Sequence, residues 1–417
     1  MNAARPLRSG QLPLWRGQLQ SGFTLIELMI SVAIGLLLVA ALIGLFLSLS
    51  RSNRELAKTN TQIENGRLAM QLLQNDLEHV GFWGTFVPQY DDLTRSSALP
   101  PTDAPTALPD PCLAYTATNW NSAYKTNLIG IPVQAYDVTS PAPAVLMPGT
   151  TCDSLLLSPK SATDILVTRH AETCVPGVGN CDADSAGKLY FQASLCENEI
   201  NATPSLQYVL DTTGFTLKKR GCTGLPPAVT VGTPADKRRL ISNIYYIRDY
   251  SVTAGDGIPT LMRSSLDLVG TALGHQAAVP LISGIEGFRI EFGIDRLSKT
   301  GIDVISDALS ANHYDAAIQW TDAATQTTAI NRGDGIPDGA YVRCTTAAPC
   351  SFAQMTNVVA AKIYLLARTE ETVSGYTDTK KYTLGSTTVG PFNDHYQRHV
   401  FSTVVRMTNV SGRRETP

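Results

Sequence analysis

One stretch of this chain almost entirely lacks charge. Between Phe23 and Ser50 the only ionisable side chain is Glu27, and no proline occurs between Pro13 and Pro88. A helix of about 20 apolar residues spans the hydrocarbon core of a bilayer, so this stretch is long enough to cross a membrane. A secretory signal peptide fits less well, because its apolar core is usually about 7–15 residues long and ends at a cleavage site of small residues.

The chain also lacks the short motifs of several enzyme classes. GxSxG, HExxH and GxxxxGK[ST] are absent, which argues against an α/β-hydrolase, a zinc metalloprotease and a P-loop ATPase. His170, His275 and His313 have no nucleophile motif beside them, so we interpret them as ordinary surface or core residues. We therefore predict that the protein is not an enzyme and needs no cofactor for catalysis.

The chain also has no excess of basic over acidic residues. The formal net charge is −3 at pH 7, which argues against nucleic acid as the main partner. Apolar residues make up 43% of the chain and aromatic residues 7%, a composition that favours a folded ectodomain over a disordered tail.

Cysteine is absent before residue 112, and all eight cysteines follow the apolar stretch. An even number on one side of a membrane indicates disulfides in an oxidising compartment such as the periplasm. Pairing between sequence neighbours is the simplest arrangement, but spacing alone does not fix the connectivity. Buried free thiols are the alternative, and the absence of CxxC makes a zinc site less favoured still. The candidate disulfide cysteines are Cys112, Cys152, Cys174, Cys181, Cys196, Cys222, Cys344 and Cys350.

The apolar stretch continues into an amphipathic sequence, and together they predict one helix from Phe23 to about Val80. Two helices joined near residues 48–52 are the alternative. In the second half, apolar residues recur at helical spacing, as expected for a stripe that packs against a sheet. That stripe consists of Leu56, Ile63, Met70, Leu73, Leu77 and Val80.

The remaining sequence indicates short strands. Residues 88–160 are rich in proline, alanine, serine and threonine, which predicts an irregular segment. Strands and helices do not alternate, so we expect antiparallel sheet and an α+β fold with an enlarged ectodomain. The strand candidates are 154–157, 165–168, 206–210, 215–218, 244–250, 287–292, 358–367 and 399–408.

Gly22, Phe23 and Glu27 resemble the cleavage and methylation site of type IV prepilins. That site has glycine, then phenylalanine, then glutamate at the fifth mature position, followed by an apolar helix. The resemblance implies that prepilin peptidase cleaves between Gly22 and Phe23 and methylates the new Phe23 amine. It also implies that the Glu27 carboxylate of an adjacent subunit neutralises this amine, although pairing within one subunit stays open. A signal anchor with an incidental glutamate is the alternative.

Three C-terminal segments, residues 285–295, 358–369 and 395–409, resemble the ectodomain of the PilW-type minor pilins. The last one is also similar to the larger pseudopilins of type II secretion. The resemblance implies a type IV pilus minor pilin that meets other minor pilins, the major pilin and the inner-membrane assembly platform, in a priming or tip complex.

Before assembly the implied location is a single pass of the inner membrane with a periplasmic ectodomain, and after assembly the pilus fibre. A type II secretion pseudopilin is the nearest alternative. A pilus-tip adhesin, or an anchored periplasmic binding protein, is another, because residues 88–240 resemble no family. The expected divisions are a leader (1–22), a transmembrane half-helix (23–50), an amphipathic half-helix (51–80), a variable disulfide-containing region (81–240) and a C-terminal β-rich region (241–417).

The sequence GDGIP occurs twice. The copy at Gly333–Pro337 continues into Asp338 and resembles a calcium-binding loop, in which carboxylates surround a glycine turn. Asp334 and Asp338 form a candidate structural calcium site together with Asp295, and Asp322 is the alternative further ligand. The upstream positions where such loops usually place acids hold none, so a tight turn is the alternative. For the copy at Gly255–Pro259 we expect a plain hairpin turn.

Overall fold

The computed structural model describes residues 22–95, 99–139, 147, 149–202, 205–224, 231–306 and 308–415. The predicted leader therefore lies outside the described residues, except for Gly22. The chain divides into two compact units, one ending at Ala57 and one beginning at Lys58.

Helix α1 runs from Leu25 to His79 and is assigned without a break through residues 48–52. This confirms the predicted long helix, which begins two residues after Phe23. Its first part contains a window of 18 residues with a mean hydropathy of 2.8, none of it buried, so it is long and apolar enough to cross a membrane. No other described helix passes the same test of length and apolarity.

The second part of α1 packs its buried face against sheet. The amide of Gln62 donates to the carbonyls of Ala367 at 2.7 Å and Gln397 at 3.1 Å. The stripe prediction was wrong at Leu56, which is 59% exposed, because it precedes the turns of the helix that reach the sheet. The buried residues of α1 are Gln62, Gly66, Ala69, Met70, Leu73 and Leu77.

Gly66 allows a close approach between α1 and Phe401 of β13. A Cβ at this position would lie 2.2 Å from the ring of Phe401. The helix-weakening effect of glycine is about 1 kcal/mol, and here it is offset by this packing.

In the described part of the chain, four short helices and thirteen strands follow. The helices are α2 Ser122–Gly130, α3 Glu197–Ile200, α4 Phe352–Thr356 and α5 Thr408–Ser411. The strands are β1 Val133–Val138, β2 Thr163–Ala171, β3 Tyr190–Ala193, β4 Tyr208–Asp211, β5 Lys237–Arg248, β6 Thr260–Val269, β7 Ala272–His275, β8 Val279–Ser283, β9 Ile285–Ile294, β10 Val358–Arg368, β11 Tyr382–Leu384, β12 Thr387–Val389 and β13 Arg398–Arg406.

The strands of the described residues form three antiparallel sheets, which confirms the predicted α+β class. The largest sheet has the order β1-β2-β5-β3-β4, with β6 on β5 and with β7 and β8 on β6. A three-stranded sheet has the order β13-β10-β9, and β11 and β12 form a hairpin. Strand β5 crosses the expected boundary between residues 240 and 241, so the regions on either side share one sheet.

One hydrophobic cluster joins the second half of α1 to both larger sheets. Leu73 and Leu77 of α1 lie in one cluster with Ile363 of β10, Val405 of β13 and Tyr245 of β5. Full burial of an aliphatic side chain contributes about 1.5–3 kcal/mol. The amphipathic half of α1 is therefore an integral part of the ectodomain core.

Local sequence patterns failed at several elements. Residues 154–157 form a turn instead of a strand, and within 215–218 only Lys218 makes an isolated bridge, to Pro234. The segment expected to be irregular contains α2 and β1. Helix α2 begins where the Asn121 side chain accepts the N–H of Tyr124 at 3.0 Å, a capping interaction of the kind favoured at helix starts.

Candidate functional site

The start of α1 is a capping box that binds the Glu27 carboxylate. Oε2 of Glu27 accepts the N–H of Thr24 at 3.0 Å and its hydroxyl at 2.9 Å. In return, the N–H of Glu27 donates to the Thr24 hydroxyl oxygen at 3.3 Å. The pattern Thr-x-x-Glu was visible in the sequence, yet Thr24 was not among the predicted site residues.

Glu27 is thus held by its own helix end, while Phe23 beside it is 89% exposed. Its other oxygen, Oε1, receives no hydrogen bond from any described residue. Gly22, Phe23 and Glu27 remain predicted processing and assembly residues, and they lie together at the beginning of the apolar helix.

The helix that follows offers one continuous apolar surface. Within the N-terminal unit no side chain from Leu25 to Leu49 is buried, and large residues such as Leu37 and Phe46 are each 70% exposed. Exposed apolar surface on this scale marks contact with lipid or with another protein.

All eight cysteines form disulfides, as expected for an oxidising compartment. The structure joins Cys112 to Cys152, Cys174 to Cys181, Cys196 to Cys222 and Cys344 to Cys350. Each cysteine is bonded to its neighbour along the sequence, so each covalent loop is local.

The second GDGIP segment is a turn built around Asp295. The Asp295 carboxylate accepts the N–H groups of Asp334 at 3.1 Å and Gly335 at 2.9 Å. It also forms an ion pair with Arg414 at 3.1 Å. Burial raises the pKa of Asp295 to about 6, against the opposing charge of Arg414. A Cβ on Gly333 would lie 2.0 Å from the Asp295 carboxylate, so only glycine fits there.

The other two candidate ligands face backbone amides. Asp334 accepts the N–H of Ile336 at 3.0 Å, and Asp338 accepts those of Arg296 at 2.8 Å and Leu297 at 2.7 Å. The backbone N–H of Asp334 therefore contacts the Asp295 carboxylate, whereas the Asp338 carboxylate accepts from the two residues that follow Asp295. Among the described residues, the potential metal-ligand atoms of Asp110, Cys112 and Cys152 lie within 4.8 Å of one another. Cys112 and Cys152 are disulfide-bonded to each other.

The first GDGIP copy is a turn of the same kind. Asp256 accepts backbone N–H groups from Ser251, Val252, Thr253 and Ile258. These hydrogen bonds, that of Ile258 first, lower the pKa of Asp256 well below its usual range. Gly257 follows with φ +68°, a conformation that favours glycine.

A buried ion cluster around Arg414 was not predicted. Its guanidinium contacts Asp91 at 2.9 Å, Asp295 at 3.1 Å and the side-chain oxygen of Asn357 at 2.8 Å. The Arg414 side chain is 2% exposed and those of its two acidic partners are 1% and 0% exposed. The cluster connects Arg414 to the segment after α1, to the GDGIP turn and to the end of α4, and no local pattern connects such distant positions.

A serine and a histidine also meet in the ectodomain. Ser264 lies 3.2 Å from Nδ1 of His275, but its hydroxyl donates to the carbonyl of Gln276 at 2.6 Å. Ser264 is fully buried, and burial lowers the pKa of His275 to about 4. A nucleophile needs access to substrate and a base oriented by a third group, and this pair has neither among the described residues.

Comparison with known proteins agrees with this arrangement. Residues 18–43 match the prokaryotic N-terminal methylation motif, and residues 244–409 match the family described as type IV pilus-assembly protein W. With the apolar helix and the antiparallel ectodomain, these matches define a prepilin-class protein that is anchored in a membrane and incorporated into a pilus. Within that class the two family matches support a PilW-type minor pilin that takes part in type IV pilus assembly together with other pilus components.

A solved structure adds a looser likeness. The type IV-like pilin TTHA1219 from Thermus thermophilus is 13% identical over 60% of this chain and 82% of its own, with a TM-score of 0.21. That superposition carries no argument for function. No curated protein sequence matches the chain.

Proposed function

We propose that this minor pilin joins other minor pilins in the complex that primes pilus assembly and comes to lie at the pilus tip. The supporting observation is the apolar half of α1, whose side chains from Leu25 to Leu49 are all at least partly exposed. Helices of neighbouring subunits are the surfaces that can cover it once the protein leaves the lipid.

Charge matching at the helix start fixes the register of this packing. After cleavage at Gly22, Phe23 carries a cationic, methylated amine in an apolar environment. The Glu27 carboxylate of an adjacent subunit neutralises it, and the capping box keeps that carboxylate at the helix end. Loss of one partner of such a pair costs about 3–5 kcal/mol, so subunits in the wrong register are disfavoured.

The protein begins in the inner membrane with its ectodomain in the periplasm. Four disulfides support this side of the membrane, because they persist in oxidising compartments. Prepilin peptidase, the inner-membrane assembly platform and the major pilin are its further partners. The division into leader, half-helices, variable region and C-terminal β-rich region stays part of this proposal.

The role is structural, with no catalysis and no catalytic cofactor. The enclosed Ser264–His275 pair supports this interpretation, as does the use of the GDGIP carboxylates to stabilise turns.

A structural calcium ion at Asp295, Asp334 and Asp338 stays a prediction, and a direct experiment tests it. The full-length chain in detergent is unfolded thermally in 1 mM calcium and in chelator. Binding to the native state raises the unfolding temperature with the concentration of the ion, and Asp338→Asn removes the increase. Because Arg414 already neutralises Asp295, an unchanged unfolding temperature would assign all three carboxylates to turn stabilisation.

Deletion of the gene tests the proposed function. We expect loss of surface pili with type II secretion intact, and restoration by the wild-type chain. The N-terminal peptide of the restored protein should begin at N-methyl-Phe23 and should keep the leader in cells without prepilin peptidase. Normal pili in the deletion, or loss of secretion with pili intact, would contradict the proposal.

A further inference from the structure

Strand β13 is an edge without the usual protection. Among the described residues its only strand neighbour is β10, and the two pair over nine residues without a register shift. Residues 399–405 contain no proline, lysine, arginine or acid. Natural edge strands are usually short or shielded by charges, proline, bulges or a covering segment, and the middle of β13 has none of these.

The other edges of the two larger sheets are protected. Strands β4 and β7 have four residues each, and β8 contains Pro280 next to a register shift. The outer side of β9 exchanges two backbone hydrogen bonds with Val342, at 2.7 and 2.8 Å. Strand β1 is flanked by the loop between Cys344 and Cys350, whose Thr346 donates its N–H and its hydroxyl to Asp137, both at 2.7 Å.

The hydrogen-bonding pattern identifies which backbone groups of β13 point outward. The N–H of Met407 donates to Val359 at 2.9 Å, and the N–H of Thr369 donates to Gln397 at 3.0 Å. In an antiparallel pair the hydrogen-bonded positions alternate, so the odd-numbered residues between them bond to β10. The even-numbered Val400, Ser402 and Val404 therefore direct both their N–H and their C=O away from the sheet.

Nothing in the described structure pairs with these outward groups. Ser402 is exposed and Val404 is 56% exposed. Backbone donors and acceptors spaced two residues apart match an extended polypeptide, and no other ligand class repeats at that interval. Because residues 400–405 in the middle of this edge are uncharged, a complementary segment is uncharged there as well, with apolar residues opposite Val400 and Val404.

We propose that β13 docks an extended, uncharged segment of another pilus subunit, which adds a fourth strand to the sheet of β9, β10 and β13. This inference rests on the proposed function, since it assigns one contact through which the minor pilin meets its partners. Backbone hydrogen bonds supply affinity, and the side chains on either face of β13 supply specificity.

A charge placed on the edge tests the proposal in the deletion strain. Val404→Lys puts an ammonium group where the added strand would pack, and we expect about tenfold fewer pili than with the wild-type chain. The unfolding temperature and N-terminal processing should not change, because Val404 is exposed. The matched control is Thr388→Lys, at an exposed position of β12, which should restore pili fully.

The outcomes separate the inference from the function on which it rests. If the deletion itself leaves pili unchanged, the proposed function fails. If the deletion loses pili and Val404→Lys restores them as well as Thr388→Lys does, the function stands and the docking edge is overturned.

A second variant pair tests the backbone itself. Ser402→Pro removes an outward N–H that β10 does not use, whereas Ser402→Ala keeps it. We expect the alanine variant to enter pili and the proline variant to be excluded. Equal incorporation of the two would overturn the strand addition.

Amide hydrogen exchange reports the added strand directly, on the unaltered full-length chain. The amides of Val400, Ser402 and Val404 should exchange quickly in detergent and slowly in sheared pili. Fast exchange in both states would overturn the proposal. Slow exchange already in detergent, with a dimeric mass by light scattering, would assign the edge to a second copy of the chain and overturn the choice of partner.

Discussion

The apolar half of α1 and the ectodomain differ in how far their side chains are buried within the chain itself. In the segment from Leu25 to Leu49 the large apolar side chains are more than half exposed. In the ectodomain even charged groups are enclosed, and Arg414 with both its acidic partners is at most 2% exposed. The first region depends on other molecules, whereas the second is stabilised from within. Changes in the first should therefore alter assembly, and changes in the second should alter folding.

The largest effect is expected at Glu27. Glu27→Ala leaves the amine of a neighbouring Phe23 without its counter-charge, a loss of about 3–5 kcal/mol, or about a hundredfold or more in incorporation. The measurement is the fraction of the protein in sheared pili, with processing checked by N-terminal mass. Glu64→Ala, at an exposed carboxylate beyond the apolar segment, is the control. Incorporation of the Glu27→Ala variant at the wild-type level would contradict the expectation that changes in the first region alter assembly.

Arg414→Ala should have the largest effect on folding. It leaves Asp295 buried without a cation and leaves Asp91 with Arg413 alone, at 3.7 Å, and breaking such a buried pair costs about 3–5 kcal/mol. Thermal unfolding of the full-length chain in detergent measures the loss. Arg406→Ala is the control, because Arg406 pairs with Glu415 at the surface, where the two side chains are 51% and 52% exposed, and such pairs contribute about 0–1 kcal/mol. Equal unfolding temperatures for the two variants would contradict the importance of the cluster.

The loss of stability on removing a disulfide should increase with the length of chain that the disulfide closes. The bond between Cys112 and Cys152 joins residues that are 40 positions apart, whereas the bond between Cys174 and Cys181 joins residues that are 7 positions apart. Loop-closure entropy predicts losses of about 4 and about 2.4 kcal/mol for the paired serine variants. Chemical denaturation measures both, and the reverse order would show that local packing outweighs chain entropy here.

The smallest expected effect is the dependence of folding stability on pH through the ionisation of Asp103. Burial raises the pKa of Asp103 to about 6, above its ordinary 3.8, although the N–H of Gln89 donates to it. Its Oδ1 has no partner among the described residues. Because the folded state binds this proton more tightly than the unfolded state does, the charged form is destabilising above pH 6. The contribution of Asp103 to the free energy of unfolding therefore increases as the pH falls from about 7 towards 4.

Asp103→Asn removes this titration. The variant should be more stable than the wild type at pH 7.5, by about 1–3 kcal/mol, and the difference should shrink at pH 4. Unfolding temperatures at both pH values provide the measurement. A variant that is less stable at pH 7.5 would show that the ionised carboxylate is needed for the Gln89 contact.

Local sequence determined the elements whose stabilising contacts are near in the chain. The long helix follows from a run without charge or proline, and the strands β5, β9, β10 and β13 from β-branched and aromatic runs. The capping residue Thr24 could have been predicted too, because Thr-x-x-Glu is a local pattern. Helix α2 and strand β1 were hidden by flanking proline-rich sequence, which masks short elements stabilised by the core around them.

The sequence by itself determined the class of this protein, because the methylation motif over residues 18–43 and the apolar first half of α1 are patterns of neighbouring residues. Tertiary structure alone decided where Gly66 meets Phe401 and which charges Arg414 neutralises. It also decided that β13 lies at an open edge. These features depend on contacts between residues hundreds of positions apart, and such contacts are set by the packing of whole elements.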